Sequence, residues 1–402
     1  MRGYAGSWLI TGLPGEAPIR DGAVVFDGTK VVAVGPRSAL QADAWTDTQA
    51  ILMPGLVNAH VHLELSKLRG ETRSGGGFGP WVSSMMARRD VLQPELDEEA
   101  IDAGISELLR AGTAAIGEVS NTLASVPLLA SAPLIGRVFH EVFGMSREAA
   151  EGMREAARAK RASIRDWPRN LSYALAPHTV YSLHETVLRE LSCGRTSLHL
   201  SEHAAERAFL RDGGGPFAAF LDQRGVPHAH YQPPGKSPID YALELGVLKP
   251  GVIAVHLCAT TRDELARLKA SGAPAVLCPR SNLFIELKLP PLFDILEVGL
   301  QPGLGTDSLA SNTTLDVLAE AAALSDRFPQ VDKGMLIAMA TWHGAQALGL
   351  SHQVGALKEG LTPGLLAFDL ERPVDDPLRY LLRAPPPARR VLVRPANILE
   401  DA

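Results

Sequence analysis

The stretch that decides the fold is PGLVNAHVHLEL, residues 54–65, where a Pro-Gly turn precedes an apolar run that contains two histidines. Side chains alternate between the two faces of a strand, so His60 and His62 share one face while Val61 and Leu63 share the other. The residues that follow repeat a rhythm of helical segment, glycine and short apolar strand. We therefore interpret residues 54–65 as the first strand of a repeated βα unit.

This rhythm predicts eight strands in all, at residues 56–63, 114–119, 135–142, 171–177, 197–202, 252–257, 275–279 and 301–306. Repeated βα units at this spacing favour a parallel (β/α)8 TIM-like barrel. Short strand patterns before residue 53, and again in GLLAFDL and RRVLVRP near the end, predict a small β-sandwich built from both chain ends. We therefore expect an α/β fold with a barrel over residues 54–344 and a composite sandwich over 1–53 and 345–402.

The composition limits the classes of partner. Charged residues make up 21% of the 402 residues and the net charge is −6, which indicates no surface for nucleic acid or an anionic membrane. No apolar run of about 18 residues predicts a membrane span. The three cysteines form no CxxC motif, which is typical of reduced thiols in a cytosolic protein. We expect a cytoplasmic protein that acts on a small molecule, with a homo-oligomer left open.

Potential metal ligands stand at the carboxyl ends of the predicted strands. His60 and His62 end the first strand, His199 ends the fifth and Asp307 follows the eighth. In a barrel, these ends meet at one mouth. Because imidazole nitrogens and a carboxylate suit Zn²⁺ or Fe²⁺, we predict that these four residues hold a divalent metal ion.

A single His-x-His pair is weak evidence for metal, since a lone buried histidine is usually a hydrogen-bonded core residue. The chain contains a second such pair, His228 and His230, in the segment PHAHYQPPG. The prolines around it predict a loop with no strand to align the two rings. We therefore expect no metal at this second pair.

The segments PGLVNAHVHLE, HLSEH, VHLC, CPRSN and GTDS resemble the signature segments of the amidohydrolase superfamily, most of all its cytosine-deaminase and chlorohydrolase branch. The resemblance implies a distorted barrel, a split β-sandwich and one divalent metal ion, with zinc favoured over iron. It also implies that His199 binds the metal, that Glu202 handles substrate protons and that His256 contacts the hydrolytic water. The fourth strand lacks a bridging lysine or glutamate, and Glu141 on the third does not match the two-metal pattern, so we expect a mononuclear site.

Together these groups predict a hydrolytic mechanism with Glu202, His256 and Asp307 as catalytic residues. A divalent metal lowers the pKa of bound water to about 7, and Asp307 accepts the proton that the water releases. Glu202 protonates the ring nitrogen next to the attacked carbon, because negative charge would otherwise build there. His256 orients the hydroxide, and ammonia leaves with a proton passed back through Asp307. The alternative interpretation of Glu202 is a solvated carboxylate at a helix start.

Several residues near the predicted mouth are candidates for contact with the substrate. His178 resembles the branch's substrate-binding histidine, and Trp81 occupies the place of an aromatic residue in the loop after the first strand. Arginines in this region could hold a substrate carboxylate by bidentate pairing. The candidate substrate-binding residues are Trp81, Arg147, His178, Arg280, Ser281 and Asn282, with Arg69 as one further arginine. Surface arginines are the alternative interpretation for Arg69 and Arg147.

The sequence predicts an enzyme that deaminates an amino-substituted heteroaromatic ring. The segment NAHVHLELS resembles aminodeoxyfutalosine deaminases and related adenosine-type deaminases, which implies an adenine-nucleoside-like substrate such as 6-aminodeoxyfutalosine and a place in menaquinone biosynthesis. Hydrolysis of a cyclic amide or of a ring C–Cl bond is the alternative within the superfamily. A non-catalytic barrel used for binding is the alternative of another class.

Overall fold

The computed structural model of the protein describes residues 1–400 as a mixed α/β chain. The strands are β1 (Arg2–Ala5), β2 (Trp8–Leu9), β3 (Ile19–Arg20), β4 (Gly22–Asp27), β5 (Lys30–Pro36), β6 (Ala44–Asp47), β7 (Ala50–Met53), β8 (Leu56–His62), β9 (Thr113–Ser120), β10 (Ile135–Val142), β11 (Leu171–Pro177), β12 (Thr196–Leu200), β13 (Val252–His256), β14 (Ala275–Leu277), β15 (Gly303–Leu304), β16 (Asp307–Ser308), β17 (Leu365–Asp369) and β18 (Arg390–Val393).

Helices separate most of the central strands. They are α1 (Phe78–Leu92), α2 (Glu98–Arg110), α3 (Ser125–Leu129), α4 (Arg147–Ser163), α5 (Glu185–Leu191), α6 (Ala204–Asp212), α7 (Pro216–Gln223), α8 (Pro238–Glu244), α9 (Arg262–Ser271), α10 (Pro279–Glu286), α11 (Leu292–Glu297), α12 (Val317–Arg327), α13 (Lys333–Met339), α14 (Trp342–Leu348) and α15 (Pro377–Leu381), with 3₁₀ helices at Arg37–Ala39, Leu63–Leu68 and Pro94–Leu96. Within residues 1–400, none of these helices is long and apolar enough to cross a membrane.

Two parallel sheets occupy the middle of the chain. One has the strand order β11-β10-β9-β8-β16 and the other the order β12-β13-β14-β15. The eight predicted strands are all present as β8 to β15, although the last two, Ala275–Leu277 and Gly303–Leu304, are shorter than the pattern predicted. The sheets meet at two seams, where Thr179 bridges His199 in parallel and the Thr306 amide donates to the His60 carbonyl at 3.0 Å. The carboxyl ends of the neighbouring strands therefore lie together.

The two ends of the chain build two further sheets. One has the order β5-β4-β1-β6, and the other has the order β18-β17-β7-β2-β3. Strands β17 and β18 confirm the strands predicted in GLLAFDL and RRVLVRP. Because β17 pairs antiparallel with β7, with Leu366 opposite Met53, the late segment completes a sheet that the early segment begins.

Strand β8 is buried along its whole length, and so is β7, which precedes it by only Pro54 and Gly55. Cover on both faces explains why this part of the sequence is a nearly continuous apolar run. The one amide side chain within it, Asn58, exchanges two hydrogen bonds with Thr306, at 2.8 Å to Oγ1 and 3.1 Å from the amide. This exchange fixes the first strand beside the segment that leads to Asp307.

Arg389 fixes the C-terminal segment to the parallel part of the fold. Its guanidinium donates to the Asp316 carboxylate, with a 3.1 Å contact from Nη1, and to the Ala111 carbonyl at 3.2 Å; the arginine and aspartate side chains are only 6% and 14% exposed. We expect Arg389→Met to lower the free energy of unfolding by about 3 kcal/mol, because it leaves a buried carboxylate without its partner. Urea unfolding followed by circular dichroism measures the change.

The adjacent Arg390 provides the matched control. It pairs with Asp369 at 2.6 Å, but both side chains are more than half exposed, at 53% and 57%. Exposed ion pairs contribute little to stability, so Arg390→Met is expected to change the same free energy by less than about 1 kcal/mol. Equal effects from the two substitutions would contradict the role given to Arg389.

Candidate active site

Three imidazoles and one carboxylate converge at the carboxyl ends of the parallel strands. His60 Nε2 lies 3.2 Å from His62 Nε2, and His199 Nε2 lies 3.3 Å from the same atom of His62. Asp307 Oδ1 is 3.4 Å from His62 Nε2 and 3.8 Å from His60 Nε2. Ligands bonded at 2.0–2.1 Å in a tetrahedral zinc site stand about 3.3 Å apart, so these four atoms have the separation of a ligand set.

The electrostatics of this cluster also suit a metal ion. All four residues are buried, at most 9% exposed. Burial lowers the pKa of His60 well below its ordinary value and lowers that of His62, so both rings are neutral. The Nε2 atoms of the three rings converge, an arrangement that a cation between them would stabilise. The residues present therefore fit a divalent metal.

The backbone is strained where several site residues leave their strands. His256 and Asp307 have φ values of 80° and 56°, in the left-handed region that non-glycine residues rarely adopt. Such strain persists only where the surrounding structure holds it. The Asp307 carboxylate is held in this way, because the hydroxyls of Ser281 and Ser311 both donate to its Oδ2 at 2.6 Å. Ser281 therefore contacts Asp307 from the start of α10.

Glu202 lies beside this cluster with its side chain 12% exposed. Its Oε2 is 3.7 Å from His256 Nε2, and the His256 ring stacks on that of His199 with centroids 5.4 Å apart. Burial alone would raise the pKa of Glu202, but the imidazoles of His203 and His256 lower it below its usual range. Burial also lowers the pKa of His256 to about 4, so this ring is neutral, and both its nitrogens lack a hydrogen-bond partner. The solvated-carboxylate alternative does not describe Glu202 in this structure.

Two residues that the sequence analysis missed complete the surroundings of Glu202. His203 Nε2 lies 3.2 Å from Glu202 Oε1, and His203 Nδ1 donates to Glu286 Oε1 at 2.8 Å. His203 stands next to Glu202 in the motif HLSEH, and this adjacency was an available signal. Glu286 ends α10 and lies 83 positions after His203 in the sequence, so no local pattern connects it with Glu202.

Glu141 is a third residue whose place was missed. It was considered only as a bridging ligand, yet its Oε1 lies 3.3 Å from His199 Nδ1 while its Oε2 accepts a hydrogen bond from Asn121 at 3.0 Å. Burial alone would raise the pKa of Glu141, but the imidazoles of His178 and His199 lower it to about 2. His199 Nδ1 is paired with the His178 carbonyl oxygen at 3.2 Å, and Glu141 Oε1, which has no hydrogen-bond partner, supplies a negative charge beside the ring. The position of Glu141 near the carboxyl end of β10 was the sequence signal that could have placed it in the site.

Three of the predicted substrate contacts surround the same mouth. The His178 ring is centred 5.1 Å from that of His199, and its Nδ1 is 3.0 Å from Ser182 Oγ. The Trp81 ring is centred 6.2 Å from that of His203, and its indole N–H donates to the Ala310 carbonyl at 3.1 Å. Asn282 is fully buried, and neither its side-chain oxygen nor its nitrogen has a hydrogen-bond partner.

The predicted arginines occupy different surroundings. Arg280 donates to Asn312 Oδ1 at 3.1 Å and to Thr313 Oγ1 at 2.7 Å, and it lines a cavity of about 260 Å³ together with residues of the loop before α1. Arg147 is exposed at the start of α4 and pairs with Glu151 at 2.9 Å. Arg69 pairs with Glu107 and donates to the Thr313 carbonyl at 2.7 Å. The structure thus places the Arg280 side chain against Asn312 and Thr313 and leaves Arg147 at the surface.

The second His-x-His pair lies in the loop after α7, as its prolines predicted. His228 Nδ1 is 3.1 Å from the Val226 carbonyl oxygen, and His230 is exposed. Neither ring belongs to the cluster of His60, His62 and His199.

Parallel strands that bring three imidazoles and an aspartate together at their carboxyl ends form the site of a metal-dependent hydrolase. The chain belongs to the amidohydrolase family, whose model matches residues 51–393. This match confirms the resemblance of the motifs in strands β8, β12, β13 and β14.

Known proteins similar to this chain include two deaminases and a chlorohydrolase. The aminodeoxyfutalosine deaminase of Deinococcus radiodurans is 29% identical over 363 residues, which cover 85% of this chain and 84% of that protein. The aminofutalosine deaminase of Helicobacter pylori, solved in complex with methylthio-coformycin, matches with a TM-score of 0.86 at 24% identity over 100% of both chains. The zinc-complexed atrazine chlorohydrolase of Arthrobacter aurescens TC1 matches with a TM-score of 0.76 at 18% identity over 94% of this chain and 90% of that one. These structural likenesses show that the chain has the fold of these hydrolases.

Proposed function

We propose that the protein is a metal-dependent aminohydrolase that deaminates an adenine-nucleoside-like compound such as 6-aminodeoxyfutalosine. The observation that carries the proposal is the position of Glu202, whose side chain is only 12% exposed and whose carboxylate lies 3.7 Å from His256 Nε2 and within 4.8 Å of an oxygen of Asp307. A hydrolase that protonates a ring nitrogen needs a proton-transferring carboxylate there. The similarity to a deaminase that acts on aminodeoxyfutalosine supports the substrate class.

The architecture belongs to the same proposal. The two parallel sheets close on each other as a (β/α)8 barrel over residues 54–344, supported by the bridge from Thr179 to His199 and by the contact of Thr306 with His60. The two sheets of the chain ends pack as a β-sandwich over residues 1–53 and 345–400, and the last two residues of the predicted range lie outside the described residues. The shared β7–β17 pairing supports this composite domain.

His60, His62, His199 and Asp307 would hold one divalent ion, with zinc favoured by the three nitrogen donors and by the zinc in the chlorohydrolase structure. When bound, such an ion supplies a water that ionises near neutral pH. A single ion is favoured because Glu141, the acidic residue nearest to the cluster on β10, faces Nδ1 of His199 and not the atoms that converge with His62.

The protein's own groups then move the protons. Asp307 takes one proton from the attacking water and passes it to the leaving amino group, and its two serine partners keep the carboxylate in one orientation. Glu202 takes up one proton when substrate binds and gives it to the ring nitrogen. As the carbonyl forms, the new hydroxyl group on the attacked carbon gives its proton to Glu202. His256, neutral and without a hydrogen-bond partner, is free to orient the attacking oxygen. The balance is one water consumed and one ammonia released.

The substrate ring lies against His178 and Trp81, and the unpartnered Asn282 amide offers it both a donor and an acceptor. The 260 Å³ cavity beside Arg280 takes the part of the substrate distant from the ring. Arg147, which the structure leaves apart from the cluster, has no role in this proposal. The place in menaquinone biosynthesis, the cytoplasmic location and a homo-oligomer stay predictions.

Ammonia release across a substrate panel tests the proposed function. We expect one ammonia per converted molecule from 6-aminodeoxyfutalosine and from 5′-methylthioadenosine, with turnover of about 10 s⁻¹ for the best substrate, the median for enzymes. The panel also contains a cyclic amide and a chlorotriazine, and the metal content of the protein is measured in parallel.

The outcomes separate the candidate functions. Ring opening of the cyclic amide or chloride release, without ammonia from any aminopurine, would replace deamination with the alternative hydrolysis. A metal-loaded protein that binds nucleosides but turns over no member of the panel would indicate a non-catalytic barrel.

A further inference from the structure

A chain of polar contacts, two hydrogen bonds and one ion-pair contact, runs from the first residue of α1 to the carboxylate of Glu202. Glu286 Oε1 accepts from the Phe78 amide at 3.1 Å and from His203 Nδ1 at 2.8 Å. His203 Nε2, on the other side of the same ring, lies 3.2 Å from Glu202 Oε1. The imidazole of His203 therefore lies between two carboxylates, one in the loop before α6 and the other at the end of α10.

The geometry sets the protonation of this ring. Ionised carboxylates accept hydrogen bonds and do not donate them, so a histidine that faces one at each nitrogen is stabilised when both its nitrogens are protonated. Such charge-assisted bonds are shorter and stronger than neutral ones. His203 is only 2% exposed, and Glu202, Glu206, Glu286 and His256 are the titratable groups packed near it.

The same carboxylate of Glu286 also fixes where α1 begins. Around it, the Gly75 amide donates to the Phe284 carbonyl at 2.7 Å and the Gly77 amide to the Ile285 carbonyl at 2.9 Å. The Phe78 ring packs against His203 with centroids 4.8 Å apart. Three residues after Phe78, the chain presents Trp81 to the mouth. The start of α1 and the carboxylate of Glu202 are thus both held by the contacts of His203 and Glu286.

We propose that His203 is a positioning residue for Glu202 and that Glu286 latches it to the start of α1, so that the proton-transferring carboxylate is aligned only when α1 is seated over the mouth. The inference rests on the proposed function, since it assigns His203 to the residue that transfers the proton. Neither His203 nor Glu286 touches the four predicted metal ligands through any of the contacts described above, so the latch acts on Glu202 alone.

The test compares His203→Asn, His203→Gln, Glu286→Ala and Glu286→Gln with the unchanged protein. We expect His203→Asn to lower kcat by about 10- to 100-fold, the range found when supporting residues are removed, with KM and metal content within about threefold of the unchanged protein. Loss of the imidazolium raises the pKa of Glu202, so the limb of the pH–rate profile set by Glu202 moves to higher pH. Glu286→Gln, whose amide oxygen still accepts, is expected to retain more activity than Glu286→Ala.

Hydrogen exchange measures the link to α1 without any turnover. We expect the peptide over residues 73–85 to exchange faster in Glu286→Ala and in His203→Asn than in the unchanged protein. His343→Gln is the matched control, because His343 is also buried, at 1% exposure, but lies on α14. It is expected to leave kcat and the exchange of residues 73–85 unchanged.

The outcomes distinguish failure of the latch from failure of the proposed function. If the unchanged protein releases no ammonia, deamination fails, and the exchange experiment still decides whether His203 holds α1. If it releases ammonia and both His203 variants keep kcat within twofold, the latch is overturned. A fall in stability or metal content, with kcat per bound metal unchanged, would assign His203 a structural role only. Where His203→Asn does not fold, His203→Gln and the two Glu286 variants decide the same question.

Discussion

The Asp307→Asn variant is expected to lose both its metal and its activity, with kcat/KM at least about 10³-fold lower, or about 4 kcal/mol of transition-state stabilisation. The substitution removes the only negative charge among the four ligands. It also places an amide where Ser281 and Ser311 now donate to the carboxylate at 2.6 Å, so that an amide nitrogen at this position would face two donors. Metal content by plasma mass spectrometry and ammonia release measure the two losses.

Metal removal should reproduce this result in the unchanged protein. Dialysis against a chelator is expected to abolish ammonia release, and added Zn²⁺ is expected to restore it. Asp369→Asn is the matched control, because Asp369 is 57% exposed in the terminal sheet, and it should keep full metal content and activity. An Asp307→Asn protein that keeps its metal and turns over normally would remove Asp307 from the proposed site.

The second large effect is expected for Glu202→Gln, which should lower kcat by about 10²- to 10⁴-fold while the metal stays bound. The amide has the size of the carboxylate but cannot deliver a proton to a ring nitrogen. Because Glu202 is not one of the four predicted ligands, although its carboxylate lies within 4.8 Å of that of Asp307, metal content is the readout that separates this variant from Asp307→Asn. A pH–rate profile of the residual activity should lack the limb that Glu202 sets.

An exposed glutamate provides the control for this substitution. Glu190→Gln removes a carboxylate that pairs with Arg154 and Arg158 on the protein surface, with the glutamate side chain 42% exposed. It is expected to change kcat by less than about twofold. Unimpaired turnover by Glu202→Gln would show that the ring nitrogen receives its proton from another group.

The sequence predicted best what depends on local patterns. The strands carrying His60, His62 and His199 could be located because each is a short apolar run bounded by glycine or proline, and β8 begins at Leu56 as predicted. Parallel strands present their carboxyl ends on one side, and this rule predicted that His62 and His199 lie close together. The two residues are 137 positions apart in sequence, and their Nε2 atoms are 3.3 Å apart in the structure.

The parts that were not predicted depend on the paths of loops and helices. Glu286 reaches His203 because α10 ends beside the start of α1, and no period in the sequence encodes the meeting of two such ends. Arg147 was a candidate for holding a substrate carboxylate, yet the first turn of α4 directs it to solvent, where Glu151 one turn later pairs with it. Side-chain direction at helix starts is set by packing that single-sequence patterns do not contain.

The pairing of β17 with β7 sets an order of events during synthesis. Phe368 lies opposite Ile51, so β7 gains its second neighbour only after a further three hundred or so residues have been synthesised. Strand β8, which carries two of the histidines, follows β7 after only Pro54 and Gly55. Contacts this distant in sequence form late in folding. The terminal sheet therefore stays incomplete until β17 has been synthesised, whereas the neighbouring β8, which carries His60 and His62, pairs with β9 much earlier in the chain.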